Sequence, residues 1–309
     1  MKKQFLSAVA LMVTCAMTLC ACGNSSGETA GTASTESTEI SQTEGAADVS
    51  ESSGEASGNT DDSVHVLVQG LDAIHEKGKI VIGMMAAVPP YAFHNVENGQ
   101  DVIVGSEIEL IKEIADALDV DYEINDMEFD GLLMALQAGK IDMVVSGMSP
   151  TAERAKNVDF SDVYYECDYY IVVNKDDKDN ITTPEDLTGK TIGVQKTSTM
   201  EVMVQEQIPQ ATSKGLARST DLSVDLGNKK VDAILVDVDT AKLMCRVNDA
   251  LYMTDIRYEA HGDSLGAAIA MPKGTDPEVK QIINDTIARL KEEQIPQWVD
   301  EYIQIVDEY

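Results

Sequence analysis

Arg154 stands eight residues after Ser146 in the run Ser146-Gly147-Met148-Ser149-Pro150-Thr151-Ala152-Glu153-Arg154. An arginine is a planar, permanently charged fork suited to a carboxylate, which it binds through two parallel hydrogen bonds. Ser146, Gly147 and Ser149 are small, so a ligand could approach the backbone there, and a free N–H could join an anion site. Taken alone, Arg154 would read as a surface arginine in an ion pair. Asp237 directly follows the predicted strand 231–236, and a carboxylate at the end of a buried strand could accept from an ammonium group. With 54 Asp and Glu in the chain, only that position singles it out. Ser198 and Thr199 precede a helical stretch, where their hydroxyls could cap the helix, reach a ligand, or do both.

Other chemistries are excluded by the same reading. Lys and Arg number 23 against those 54 acids, for a net charge of −31, and such a surface repels nucleic-acid phosphates. Gly189-Lys190-Thr191 lacks the earlier glycine of a phosphate-binding loop. His65, His75, His94 and His261 have no metal-ligand spacing, and five scattered cysteines make neither a disulfide scaffold nor a zinc cluster. No metal or cofactor is expected.

Positioning these residues requires strands and helices in alternation, the mark of an α/β architecture. Residues 79–83 read as a buried strand, and Asn98-Gly99 as a turn. Over 107–118 a helix presents Ile108, Ile111, Ile114, Ala115 and Leu118 on one face. Strands are predicted at 122–125, 141–145, 191–194 and 231–236. Helices are predicted at 131–138, 198–207, near Asp221, through Cys245, at 276–292 and at 297–304. No stretch after Leu19 is long enough to span a membrane.

Several motifs then occur in a familiar order: Phe129-Asp130-Gly131-Leu132-Leu133, Ala138-Gly139-Lys140-Ile141-Asp142, Ser146-Gly147-Met148-Ser149, Val158-Asp159-Phe160-Ser161, Leu187-Thr188-Gly189-Lys190-Thr191 and Val231-Asp232-Ala233. Over nearly all of 79–304 the chain resembles the extracellular solute-binding proteins, family 3, of amino-acid ABC transporters. The resemblance implies a two-lobed, periplasmic-binding-protein-like α/β fold with two crossing hinge strands, at 168–174 and 261–269. Lobe one is then 64–167 plus 270–309, lobe two 175–260, and a ligand bridges the cleft between them. By the same resemblance Arg154 holds the carboxylate of an L-amino acid, with Ser146, Gly147, Ser149, Ser198 and Thr199 around it. Asp237 takes the ammonium group. Relatives that bind cationic side chains carry an aspartate near Met84-Met85 and an aromatic where this chain has Val88. Met85, Val88, Leu132 and Met148 therefore predict an apolar pocket that favours an uncharged side chain. Should a cation bind instead, Glu128 or Asp130 would be the replacement carboxylate. Tyr91, Phe93 and His94 lie near the cleft or pack the lobe.

The N-terminus carries an address. Lys2 and Lys3 precede a short apolar run to Leu19, which fits a signal peptide over 1–21. The sequence Leu19-Cys20-Ala21-Cys22 resembles a bacterial lipobox, making Cys22 the lipidated, palmitate-bearing first residue of the mature chain. Residues 22–63 are rich in Ser, Thr, Gly, Ala and Glu, which predicts a disordered acidic tether. The whole reads as a monomeric lipoprotein on the outer face of the cell membrane, delivering its amino acid to the permease subunits of an ABC transporter. A ligand-sensing domain is the alternative, and a dehydratase-type enzyme on the same fold is a more distant one. No catalytic residue is nominated.

Overall fold

The structure is a computed structural model, described here for residues 70–259 and 266–306. The signal peptide, Cys22, the tether, His65 and His261 lie outside the described residues. All described residues belong to one compact unit, Thr60–Tyr309.

The first half of the chain builds one sheet. Helix α1 (Leu71–Lys77) leads into strand β1 (Lys79–Met84), whose Ile80, Ile82 and Met84 are buried. Short β2 (Ala87–Val88), β3 (Ala92–Glu97) and β4 (Gln100–Val104) form a separate antiparallel ribbon, which turns at Asn98 and Gly99, both at positive φ. Helix α2 (Ser106–Ala117) buries Ile108, Leu110, Ile111, Ile114 and Ala115 against the sheet. Next come β5 (Asp121–Asp126), α3 (Leu132–Gln137), β6 (Met143–Val144) and β7 (Val158–Tyr165).

The second sheet opens with β8 (Tyr169–Asn174) and continues with β9 (Thr191–Gln195), α4 (Thr199–Gln207), β10 (Thr212–Leu216), α5 (Ser219–Gly227), β11 (Ala233–Asp237), α6 (Val238–Val247) and β12 (Leu251–Tyr258). The chain then returns to the first sheet with β13 (Ala267–Pro272), followed by α7 (Pro277–Leu290) and α8 (Gln294–Ile305). The sheet orders are β5-β1-β6-β13-β7 and β10-β9-β11-β8-β12. Each combines parallel neighbours with an antiparallel edge. In a sheet of this kind ligands gather beyond the carboxyl ends of the parallel strands. Here those ends carry Met85 after β1, Ser146 after β6, Lys196 after β9 and Asp237 at the end of β11.

The hinge crossings were expected at 168–174 and 261–269. Residues 169–174 are an interior strand of the second sheet, paired on both sides, because Ile171, Val172 and Val173 are wholly buried. Residues 267–269 already belong to β13. The first passage between the sheets is at 166–168, and the chain leaves the second sheet at Tyr258 and rejoins the first at Ala267. The polar strand β10 and the strand β12 were not among the predicted elements, whereas α2 and β1 fall where their apolar periodicity puts them.

The two lobes touch along the cleft. Lys196 pairs with Asp130 at 2.8 Å, Arg218 with Glu128 at 3.2 Å, and the Ser219 hydroxyl donates to the Ala87 carbonyl at 2.9 Å. Phe93 packs against Leu243 of α6 and Val306. His94 instead sits at the surface, within 3.0 Å of Asp101 and 3.2 Å of Asp126.

Candidate functional site

Where the lobes meet, both contribute side chains to a narrow cavity of about 80 Å³. Lobe one supplies Met85, Val88, Tyr91, Glu107, Ser146, Gly147, Tyr164 and Tyr165. Lobe two supplies Tyr169, Gln195, Met200 and Asp237, and Cys167 comes from the first crossing. Cys167 and Cys245 are free thiols, and burial raises the pKa of both.

Asp237 ends β11 and caps α6. Its Oδ1 accepts from the backbone N–H groups of Asp239 (3.2 Å) and Thr240 (2.9 Å) and from the Tyr91 hydroxyl of the opposite lobe (2.7 Å). Burial raises its pKa, and the hydrogen bonds from Thr240 and Tyr91 act in the opposite direction. Asp239, two residues on, lies in the first turn of α6. It is 3% exposed and accepts from the Tyr165 hydroxyl at 2.6 Å.

Tyr91 and Glu107 are placed by one glycine. Gly105 has φ +138°, and a Cβ there would stand 2.0 Å from the Tyr91 carbonyl oxygen, so only glycine allows this approach. The Glu107 N–H then donates to that same carbonyl at 3.0 Å. The side chain of Glu107 turns inward and is 4% exposed. Its Oε1 accepts from the Tyr164 hydroxyl at 2.5 Å and from the Gly147 N–H at 2.7 Å. The Gly147 N–H, predicted as free for a ligand anion, is therefore engaged by a carboxylate. Burial is the main cause of the raised Glu107 pKa.

Arg154 lies beside this cavity without lining it. Its guanidinium donates to the Ser149 carbonyl in its own lobe at 2.9 Å and to the Thr197 carbonyl of lobe two at 3.0 Å. It also stands 5.6 Å from the centre of the Phe129 ring. Burial lowers its pKa from a very basic starting point. Tyr169 lines the cavity, and burial raises its pKa, with the Thr199 and Ser149 side chains acting in the opposite direction. The Ser198 hydroxyl donates to the Gln195 carbonyl at 2.6 Å rather than capping α4.

Of the residues expected at the site, Met85, Val88, Ser146, Gly147 and Asp237 meet at the cavity. Ser146 Oγ accepts from the Met85 N–H at 3.1 Å, and the Gln195 amide reaches Met85 Sδ at 3.7 Å. Arg154, Ser149, Ser198 and Thr199 gather beside it. Leu132 belongs to neither group. It is wholly buried beside Gly83, Ile141 and Met148 in the core of lobe one, so its expected role as a pocket wall is corrected. Met148 is 1% exposed in the same cluster. Glu128 and Asp130 are occupied by Arg218 and Lys196.

Glu107, Tyr164, Tyr165, Tyr169 and Gln195 were missed. For Glu107 the signal was present: it shares a helix face with Ile111, Ile114 and Leu118, an acid among the residues that face the core.

A two-lobed α/β body with charged groups of both signs across its cleft defines a binding protein for a small polar solute. Residues 80–305 match the family model described as bacterial extracellular solute-binding proteins, family 3, and the chain belongs to that family. It is 34% identical over 218 residues to the arginine-binding extracellular protein ArtP of Bacillus subtilis, covering 70% of this chain and 82% of that one. It is 27% identical over 224 residues to the L-cystine-binding protein TcyJ of Escherichia coli (72% and 81%). Among solved structures, an amino acid ABC transporter substrate-binding protein from Streptococcus pneumoniae bound to L-arginine superposes with TM-score 0.72 at 30% identity. That match covers 76% of this chain and 98% of the other. These relatives are named as binding proteins, in line with the expectation of a binding protein rather than an enzyme.

Proposed function

We propose that the protein captures an L-α-amino acid outside the cytoplasm and delivers it to the membrane subunits of an ABC transporter. The observation that carries this reading is the dipolar cleft: a guanidinium, Arg154, at one end and the Asp237 carboxylate of the opposite lobe at the other. A zwitterionic amino acid has the complementary pair of charges. Arg154 takes the carboxylate, with Ser149, Ser198 and Thr199 beside it, and Asp237 takes the ammonium group. Ser146, Gly147, Met85 and Val88 line the space between. The halves built on the two sheets act as lobes, hinged where the chain passes between the sheets, and the ligand holds them together.

Thermal unfolding of the full chain in detergent, screened against the twenty amino acids, tests this. A ligand bound only by the folded state stabilises by RT ln(1 + [L]/Kd), about 4 kcal/mol at a thousandfold excess over Kd. An unshifted melting temperature across the whole panel would refute amino-acid capture. Anchoring through a lipid on Cys22 is part of the proposal, as is a monomeric state. Cys22→Ser should leave binding intact and release the chain from the membrane fraction or leave it uncleaved.

A further inference from the structure

The cavity contains two carboxylates built to one plan. Asp237 has all its hydrogen bonds on Oδ1, and Glu107 has both of its bonds on Oε1. Among the described residues, Asp237 Oδ2 and Glu107 Oε2 have no hydrogen-bond partner. Neither belongs with the sealed, unpartnered atoms, which are Glu128 Oε2, Thr240 Oγ1 and Tyr258 Oη. Glu107 is 4% exposed and is one of the residues that line the cavity. Among the described residues, no lysine, arginine or histidine lines the cavity.

An amino acid with an uncharged side chain offers one cation, and Asp237 takes it. Glu107 then remains as a second desolvated carboxylate without a counter-charge, an arrangement that is costly in a cleft closed from water. A basic amino acid carries two cations and one anion, and the site offers two carboxylates and one guanidinium. We propose that Glu107 is the side-chain-reading residue of this protein, its Oε2 receiving the distal cation of a basic L-amino acid. The inference rests on the amino-acid reading above and narrows it. It replaces the uncharged side chain expected from Met85 and Val88. Those two residues, with Met200 and the tyrosine rings, suit the aliphatic stem of such a ligand. The Asp237 charge also contributes to the raised pKa of Glu107, after burial, so a bound cation would restore its ionised form.

Calorimetry on the full chain in detergent, comparing L-arginine with L-citrulline, isolates the charge, since the two ligands have nearly the same shape. Arginine should bind tighter by about 30-fold or more, the low end for unpairing a desolvated charge. Glu107→Gln retains an oxygen for Tyr164 and Gly147, and in it the arginine-to-citrulline ratio should fall to within about threefold, with citrulline still bound. Equal binding of the two ligands by the parent protein overturns the proposal even if the variant does not fold. An undiminished ratio in Glu107→Gln overturns it as well. Tight binding of neutral amino acids alone would sink this inference and leave amino-acid capture standing, whereas silence toward every amino acid would remove both.

Discussion

The two ends of the cleft hold their charges in opposite ways. At the basic end, two backbone carbonyls and the face of Phe129 surround Arg154. At the acidic end, Asp237, Asp239 and Glu107 accept from tyrosine hydroxyls and backbone N–H groups. Burial opposes the charged form at both ends, with different consequences. Arginine starts so far above neutrality that a lowered pKa leaves it cationic. Asp237 and Glu107 are pushed toward neutrality, and a partner cation can pull them back. In the proposed reading, the basic end is a fixed anchor common to any amino acid, and discrimination between ligands belongs to the acidic end.

Breaking the anchor should have the largest effect. Arg154→Ala removes one member of a desolvated charge pair, a loss of roughly 2–5 kcal/mol or about 30- to 5,000-fold in affinity, whichever side chain the ligand carries. A calorimetric loss below threefold, with the fold intact, would place carboxylate binding elsewhere.

Leu132 lies at neither end and serves as the control for the comparison. Leu132→Ala opens a cavity in the core of lobe one, and denaturant unfolding should show a loss of about 2–5 kcal/mol. The ranking of ligands should stay unchanged. A change in that ranking without a loss of stability would return Leu132 to the pocket.

A smaller change is expected from Tyr165→Phe, which deletes the hydroxyl that ties lobe one to Asp239 in lobe two. Hydrogen bonds to charged groups contribute about 1.5–3 kcal/mol, so affinity should fall by about tenfold through weaker closure. Small-angle scattering with ligand at subsaturating concentration should then show a larger radius of gyration than the parent's. Unchanged affinity and radius would mean that this bond does not favour the closed arrangement.

The smallest effect concerns the protein without ligand. Because burial raises the Glu107 pKa, its ionisation opposes folding. Its contribution to stability is intact below the unfolded value of about 4.3 and declines as pH rises through the folded value. Glu107→Gln should therefore melt above the parent at pH 7, and the gap should close as pH falls toward 4. A variant that melts below the parent at neutral pH would show that the carboxylate contributes more as a hydrogen-bond acceptor than it costs by its burial.

Much of the architecture was legible in local pattern. The face Ile108, Ile111, Ile114, Ala115, Leu118 specified α2, and the apolar run ending at Asp237 specified both β11 and the carboxylate at its tip. The motif order around Arg154 marked the basic end. The acidic end was less legible, because its partners are far apart in sequence: Glu107 meets Gly147 40 residues away and Tyr164 57 away, and Tyr91 meets Asp237 146 away.

The sequence by itself determined the elements, the family and the identity of the charged groups, since periodicity and motif spacing are local properties of the chain. Only the tertiary structure decided which of those groups face one another. Leu132 and Glu107 show the difference. The sequence nominated the leucine as a pocket wall and passed over the glutamate as one acid among 54. Packing reversed the two assignments: α3 turns Leu132 into a wholly buried core, while Gly105 lets α2 approach Tyr91 and brings Glu107 to the cavity. The direction a side chain faces depends on which surfaces close around its element, and those surfaces come from distant parts of the chain.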